Sequence, residues 1–334
     1  MGGAVKDGWL LARALRTPGD TLALDAAGWT ALIAMARAEQ MLGTLAHRLE
    51  GLAVPHTVAR LLADARASAA QGRILALWEA EAARRALAPT GVPVVLLKGT
   101  AFVAAGLKAG EGRSIGDLDI LVPRAALDAV EAALLEAGWE WVKPDPYDDA
   151  YYRQWMHELP PLIHRERDRM IDVHHTILPL TARIRPDAPG LLAASIPVEG
   201  GLRTLSANDM IVHAAAHLFA DGDLAGGMRN VWDVHCLAAE ADITGLTERA
   251  AHHGLARETA RALRLAAALY GEGARLNPAD HAYLRRLTAR DGWGRPTRPA
   301  TRLAFYVRSH WLRMPPAMLA RHLWTKWRKP MGQR

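Results

Sequence analysis

Two acidic residues set into an otherwise apolar run, Asp117-Leu118-Asp119-Ile120-Leu121-Val122, are the residues whose types and spacing point most directly to chemistry. Alternate residues of a strand face the same side, so Asp117 and Asp119 project together while Leu118 and Ile120 turn into the core. Two carboxylates held side by side on an apolar strand repel each other unless a cation sits between them. Mg²⁺ or Mn²⁺ suits that place: such ions take oxygen ligands, and Mg²⁺ bridges carboxylates to substrate phosphates. A second group lies just upstream, at Lys98-Gly99-Thr100. A glycine there lets backbone amides approach an anion, and the N-terminus of the following helix adds partial positive charge. Thr100 offers a hydroxyl donor, and Lys98 and Arg113 offer cations to neutralise a triphosphate. Taken together, the two groups read as a site for a divalent ion and an NTP.

The elements that must position these residues follow from periodicity. Val94-Val95-Leu96-Leu97 reads as a short buried strand, followed by the glycine turn and a helix-like segment, Ala101–Leu107. A polar loop, Lys108–Gly116, leads to the strand that carries the Asp pair; Pro123 ends it, and Arg124–Ala137 is an amphipathic helix closed by Gly138. Further strands are expected at Trp139–Val142, Pro161–His164 and Met170–His174, the last two joined by a charged turn. Residues 9–88 read as helices broken at Pro18, Gly51 and Pro55, with Leu32, Met35, Leu45, Leu62, Ile74, Leu75 and Trp78 on an apolar stripe. After Pro197 the chain is helical again, opened by the capping signal Ser206-Ala207-Asn208-Asp209, with helices near 228–240, 244–253, 256–271 and 278–290. The expected fold is α+β: a helical region over residues 1–90, a small mixed-sheet core over 91–200, a second helical region over 201–291, and a linker with a basic, Trp- and Arg-rich tail over 292–334.

Half of the 334 residues are apolar, enough for a substantial core, and a single cysteine, Cys236, excludes an internal disulfide framework. Residues 1–24 lack the uninterrupted apolar centre of a signal peptide. No stretch reaches the ~18 apolar residues of a membrane span, so a cytoplasmic protein is expected. The net charge of +6 is too small to identify nucleic acid as a partner.

The strand-Gly-Thr-helix followed by Asp-x-Asp on the next strand resembles the DNA polymerase β-like nucleotidyltransferase superfamily. More closely, Leu96-Leu97-Lys98-Gly99-Thr100, Arg113-Ser114-Ile115-Gly116-Asp117-Leu118-Asp119 and Ile171-Asp172-Val173-His174-His175 are similar to an uncharacterised bacterial nucleotidyltransferase family often encoded beside peptide or cell-surface polysaccharide biosynthesis genes. The resemblance implies that the Asp pair binds metal and that a third carboxylate on a later strand, taken here as Asp172, completes the site. It also implies transfer of a nucleoside monophosphate from an NTP such as ATP to an acceptor: a small molecule, a peptide or a biosynthetic intermediate. The alternatives are a catalytically silent nucleotide- or peptide-binding module of the same fold, and a toxin-like transferase acting on tRNA or protein.

Each remaining feature has a plainer reading beside the functional one. Asp172 either ligates metal or pairs with an arginine, and His174 either orients Asp172 or a phosphate or packs on the strand. His213 and His217 have metal-ligand spacing on a helix, but no third ligand is evident, so core or acceptor-pocket histidines are expected. Arg229 and Asp233 either pair across one helical turn or, as the resemblance implies, belong to the acceptor site. The tail with Trp311, Trp324 and Trp327 is expected to pack on the body rather than to bind a membrane or nucleic acid.

Overall fold

The computed structural model describes residues 7–143, 145–313 and 319. The chain enters through α1 (Trp9–Arg16), α2 (Ala26–Ala38) and α3 (Leu42–Arg48), which lead to the 32-residue α4 (His56–Leu87). The breaks fall where residue chemistry puts them: Pro18 opens a 3₁₀ turn, Gly51 adopts φ +80°, and Pro55 caps α4. Leu32, Met35, Leu45 and Leu62 are buried as the periodicity requires. Ile74, Leu75 and Trp78 are not; they face solvent, because α4 is longer than the core it covers and its later turns keep only Ala76, Glu79, Ala80, Ala83 and Leu87 buried.

The sheet is assembled from β1 (Val95–Leu96), β2 (Leu118–Leu121), β3 (Trp139–Trp141), β4 (Leu162–His164), β5 (Met170–His174), β6 (Ile196–Pro197) and β7 (Arg203–Thr204), in the order β3-β4-β5-β2-β1-β7-β6. Between them lie α5 (Lys98–Ala104), α6 (Leu127–Glu136), α7 (Pro146–Trp155) and α8 (Ala188–Ala193). At the centre β2 runs parallel to β5, with Leu118 opposite Ile171, Asp119 opposite Asp172, Ile120 opposite Val173 and Leu121 opposite His174. A slip of one residue would turn Asp119 and Asp172 into the space now filled by Ile120, Ile171 and Val173, so burial of the apolar partners fixes the register that aligns the two acids. On its other side β2 pairs antiparallel with β1, and the Leu97 amide donates to the Asp119 carbonyl at 2.9 Å, which brings the start of α5 against the Asp pair.

Two contacts lock the outer strands. Gly138 ends α6 at φ +100°, a conformation costly to other residues, and a Cβ there would lie 3.0 Å from His164 Nε2. Arg167, on the β4–β5 turn, donates to the buried Glu79 of α4 at 2.8 and 3.0 Å while its guanidinium stacks on Trp78 and Trp139.

The C-terminal helices are α9 (Ala207–Ala216), extended by a π-helical turn over His217–Asp221, then α10 (Gly227–Glu240), α11 (Leu246–His252), α12 (Ala256–Tyr270), α13 (Pro278–Leu287) and α14 (Pro299–Arg313). Ser206 caps α9 as its sequence indicates, its hydroxyl oxygen accepting from the Asp209 amide at 3.2 Å. Helices α9, α10 and α12 pack on one another, and α10 also packs on the turn after α5, so this layer stands directly beside the Lys98 end of the sheet. The beginning of the basic tail packs on the body through buried Phe305, whose ring meets Tyr283 at 5.0 Å; Trp324 and Trp327 lie outside the described residues. The architecture is α+β, a seven-stranded mixed sheet with helices before and after it in the chain. Among the described residues no helix is long and apolar enough to cross a membrane.

Candidate active site

Asp119 sits in the middle of β2 with its side chain 4% exposed, and two groups hold its carboxylate: Lys98 Nζ at 2.6 Å and His174 Nε2 at 2.9 Å, both on Oδ1. Burial pulls this carboxyl upward, but the Lys98 charge and the His174 hydrogen bond outweigh it and hold Asp119 well below the usual carboxylate range. Asp119 is therefore an acceptor only, which places the His174 proton on Nε2. Lys98 stays charged by the same pairing: burial would lower it, and Asp119, with help from Asp117 and Asp172, raises it instead. Its backbone adopts φ +49°, unusual outside glycine, and such strain persists where surrounding contacts over-determine a residue.

Asp117 is exposed at the mouth, and Asp172 enters from β5, one strand away. Asp117, Asp119 and Asp172 each present a carboxylate oxygen within 4.8 Å of the others. The Asp172 carboxyl is pushed up to about 7 by burial and then by the charges of Asp119, Glu158 and Asp117, against a smaller pull from His174. Three acids on one spot, one of them reluctant to ionise, form an all-oxygen donor set that fits a hard divalent cation. The sequence reading and the geometry thus bring Asp117, Asp119, Asp172, Lys98 and His174 to one place.

Gly99, Thr100 and Arg113 complete the surroundings. A Cβ on Gly99 would lie 2.6 Å from Arg113 Nε, so the missing side chain makes room for the guanidinium. Thr100 is 1% exposed and its hydroxyl has no hydrogen-bond partner among the described residues. Arg113 stacks on Phe102 and forms a close ion pair with Asp233 of α10, tying the sheet to the C-terminal helices. Lys98, Phe102, Arg113, His213, His217 and Asp233 line a cavity of about 50 Å³, room for a water or two. His213 is kept neutral there, first by burial and then by the nearby Lys98 charge.

A family model described as "Uncharacterised nucleotidyltransferase" matches residues 25–271, well over half of the chain. The chain belongs to this family. No curated protein matches it. In this nucleotidyltransferase-family protein the matched span takes in the Asp pair, Asp172, Lys98 and the helices that carry His213 and Asp233.

One sequence expectation about this site changes. Asp233 pairs with Arg113 across 120 residues instead of with Arg229 one turn away. Arg229 is left buried with Nε and Nη2 unpartnered among the described residues, and burial together with the Arg113 charge pushes it down to about 10. Sequence reasoning also missed His157 and Glu158. They precede β4, but Glu158 bridges to His174 and the His175 amide donates to the His157 carbonyl at 2.9 Å, so the pair lies against β5 beside the site. The only signal for them was the adjacent His-Glu in a loop between apolar runs. A cavity of about 980 Å³ lies elsewhere, beyond the far ends of β2 and β5, lined by Arg124, His175, Thr176 and Arg185 among others, with none of the eight expected site residues in its wall.

Proposed function

We propose that this protein transfers a nucleoside monophosphate from an NTP to an acceptor hydroxyl or phosphate, releasing pyrophosphate. The observation that carries this reading is the meeting of Asp117, Asp119 and Asp172, from two adjacent parallel strands, within reach of one divalent ion, with Lys98 alongside. Mg²⁺ or Mn²⁺ held by the three acids would neutralise charge on the reacting phosphate and lower the pKa of an attacking hydroxyl. Lys98 and Arg113 supply positive charge for the triphosphate. Asp119, kept ionised by Lys98 and His174, is a fixed ligand, whereas Asp172, entering from the neighbouring strand, would help to activate the acceptor. One O–P bond forms at the α-phosphorus as the bond to pyrophosphate breaks, and a hydroxyl acceptor's proton is released to solvent. ATP is the working choice of nucleotide, and the acceptor class is a small molecule, a peptide or a biosynthetic intermediate of natural-product or surface-glycan assembly, in the cytoplasm.

A second reading rests on the Lys98 ammonium at 2.6 Å from Asp119, where a cation already serves the carboxylate: a module that binds nucleotide without turning it over. Incubation of the full chain with Mg²⁺, cell extract and ATP labelled at the α- or the γ-phosphate separates the two. Transfer of α-label alone, abolished by Asp117→Asn/Asp119→Asn, is the expected result; nucleotide binding with no label transferred from any NTP favours the binding module.

A further inference from the structure

Behind the three acids lies a second cluster of different chemistry: His157, Glu158 and His174 each present a ligand atom within 4.8 Å of the others. The His174 side chain is 2% exposed, and its Nε2 faces Asp119, so the opposite nitrogen, Nδ1, is turned away from the three acids. That Nδ1 is buried without a hydrogen-bond partner among the described residues and lies 3.4 Å from Glu158 Oε2. A metal ion between that nitrogen and the carboxylate would give both a partner. The His157 ring flanks the His174 ring at 5.2 Å, lies 3.7 Å from the same carboxylate through Nε2, and buries its own Nδ1 without a hydrogen-bond partner among the described residues. The backbone holds the arrangement: the Glu158–His174 bridge and the Leu159 amide on the Val173 carbonyl fasten this segment to β5.

We infer that His157, Glu158 and His174 form a second metal site, specific for a Zn²⁺-class transition ion and distinct in chemistry from the Asp117/Asp119/Asp172 site. Two imidazoles and one carboxylate suit Zn²⁺ or Co²⁺, whereas an all-carboxylate set suits Mg²⁺. The Asp119···His174 contact is the outer-shell carboxylate that metal-bound histidines commonly have: it fixes the tautomer and aims Nδ1 at the ion. An ion there would clamp the 157–159 segment to β5 and hold His174, and through it Asp119, in place. The site is independent of whether the protein transfers nucleotides.

The test is metal binding by the chelator-stripped full chain, titrated with Co²⁺ or Zn²⁺ in excess Mg²⁺. The expected result is one tightly bound equivalent, with X-ray absorption of the Zn²⁺-loaded wild type showing imidazole nitrogen in the coordination shell. His157→Gln/Glu158→Gln should weaken it at least ~tenfold, while Asp117→Asn/Asp172→Asn and His213→Gln/His217→Gln leave it in place. No stoichiometric binding, an all-oxygen shell in the wild type, or binding lost in the His213/His217 variant but kept in the His157/Glu158 variant would overturn the inference. The wild-type absorption result stands even if a variant fails to fold.

Discussion

Replacing Asp172 with Asn removes a carboxyl that the fold makes reluctant to ionise. Its pKa rises from 3.8 to about 7, so between those values the folded chain binds a proton that the unfolded chain has released. Stability attributable to this group is therefore full below ~pH 4 and is lost as pH rises through about 7. The difference of 7 − 3.8, about three units, corresponds to ~4 kcal/mol at ~1.4 kcal/mol per unit. Relative to wild type, Asp172→Asn should gain ~3 kcal/mol of that between about pH 5 and about pH 8.5 in the presence of a chelator, since the rest is already lost below about pH 5; the gain is read as the separation of the two urea unfolding midpoints. Adding Mg²⁺ should shrink or reverse the gap at the higher pH, because the ion stabilises only the chain that retains all three acids. A gap that stays constant across pH, or that Mg²⁺ leaves unchanged, would refute the idea that Asp172 shares a charged site with Asp117 and Asp119.

The other expectations concern the neighbours. Asp119→Asn should destabilise the protein by ~2–3 kcal/mol at neutral pH, because Lys98 is left without its charge partner, and calorimetric unfolding measures it. It should also flatten the wild type's loss of stability in acid, since a carboxyl held well below the usual range contributes above ~pH 4 and is lost only as pH falls through that depressed value. Gly99→Ala places a Cβ 2.6 Å from Arg113 Nε, and the displaced guanidinium should cost ~1–3 kcal/mol of stability and weaken NTP binding, both readable by thermal shift with and without nucleotide. Asp233→Asn leaves Arg113 buried without its counter-charge and should cost ~3–5 kcal/mol, with most of the loss recovered in Arg113→Met/Asp233→Asn if the pair acts as a unit.

The sheet centre was legible because β2 and β5 announce themselves as apolar residues interrupted by acids. An Asp between Leu118 and Ile120 has no reason to be there except to face the other side of the sheet. The capping serine at 206 and the helix limits around residues 227–240 and 256–270 were legible for a similar local reason, a side chain or periodicity that acts within one or two turns. What escaped depends on partners far away in the chain. Strands β6 and β7 are two residues each, too short to show alternation, and exist only because β1 offers Val95 and Leu96 for pairing. The exposure of Ile74 and Leu75 could not be read from a helical stripe that says nothing of where the core stops. Asp233 could not be separated from Arg229 by spacing, since its true partner comes from the loop after α5. Glu158 and His157 join the site through a bridge to His174 that no local pattern encodes.

The measurement closest to the central claim is calorimetric titration of the chelator-stripped chain with ATP, with and without Mg²⁺, for wild type and for Asp117→Asn/Asp119→Asn/Asp172→Asn. One metal–triphosphate site built on these acids predicts binding that needs Mg²⁺ in the wild type and disappears in the folded triple variant. Equal nucleotide affinity in both proteins, or binding indifferent to the ion, would contradict it.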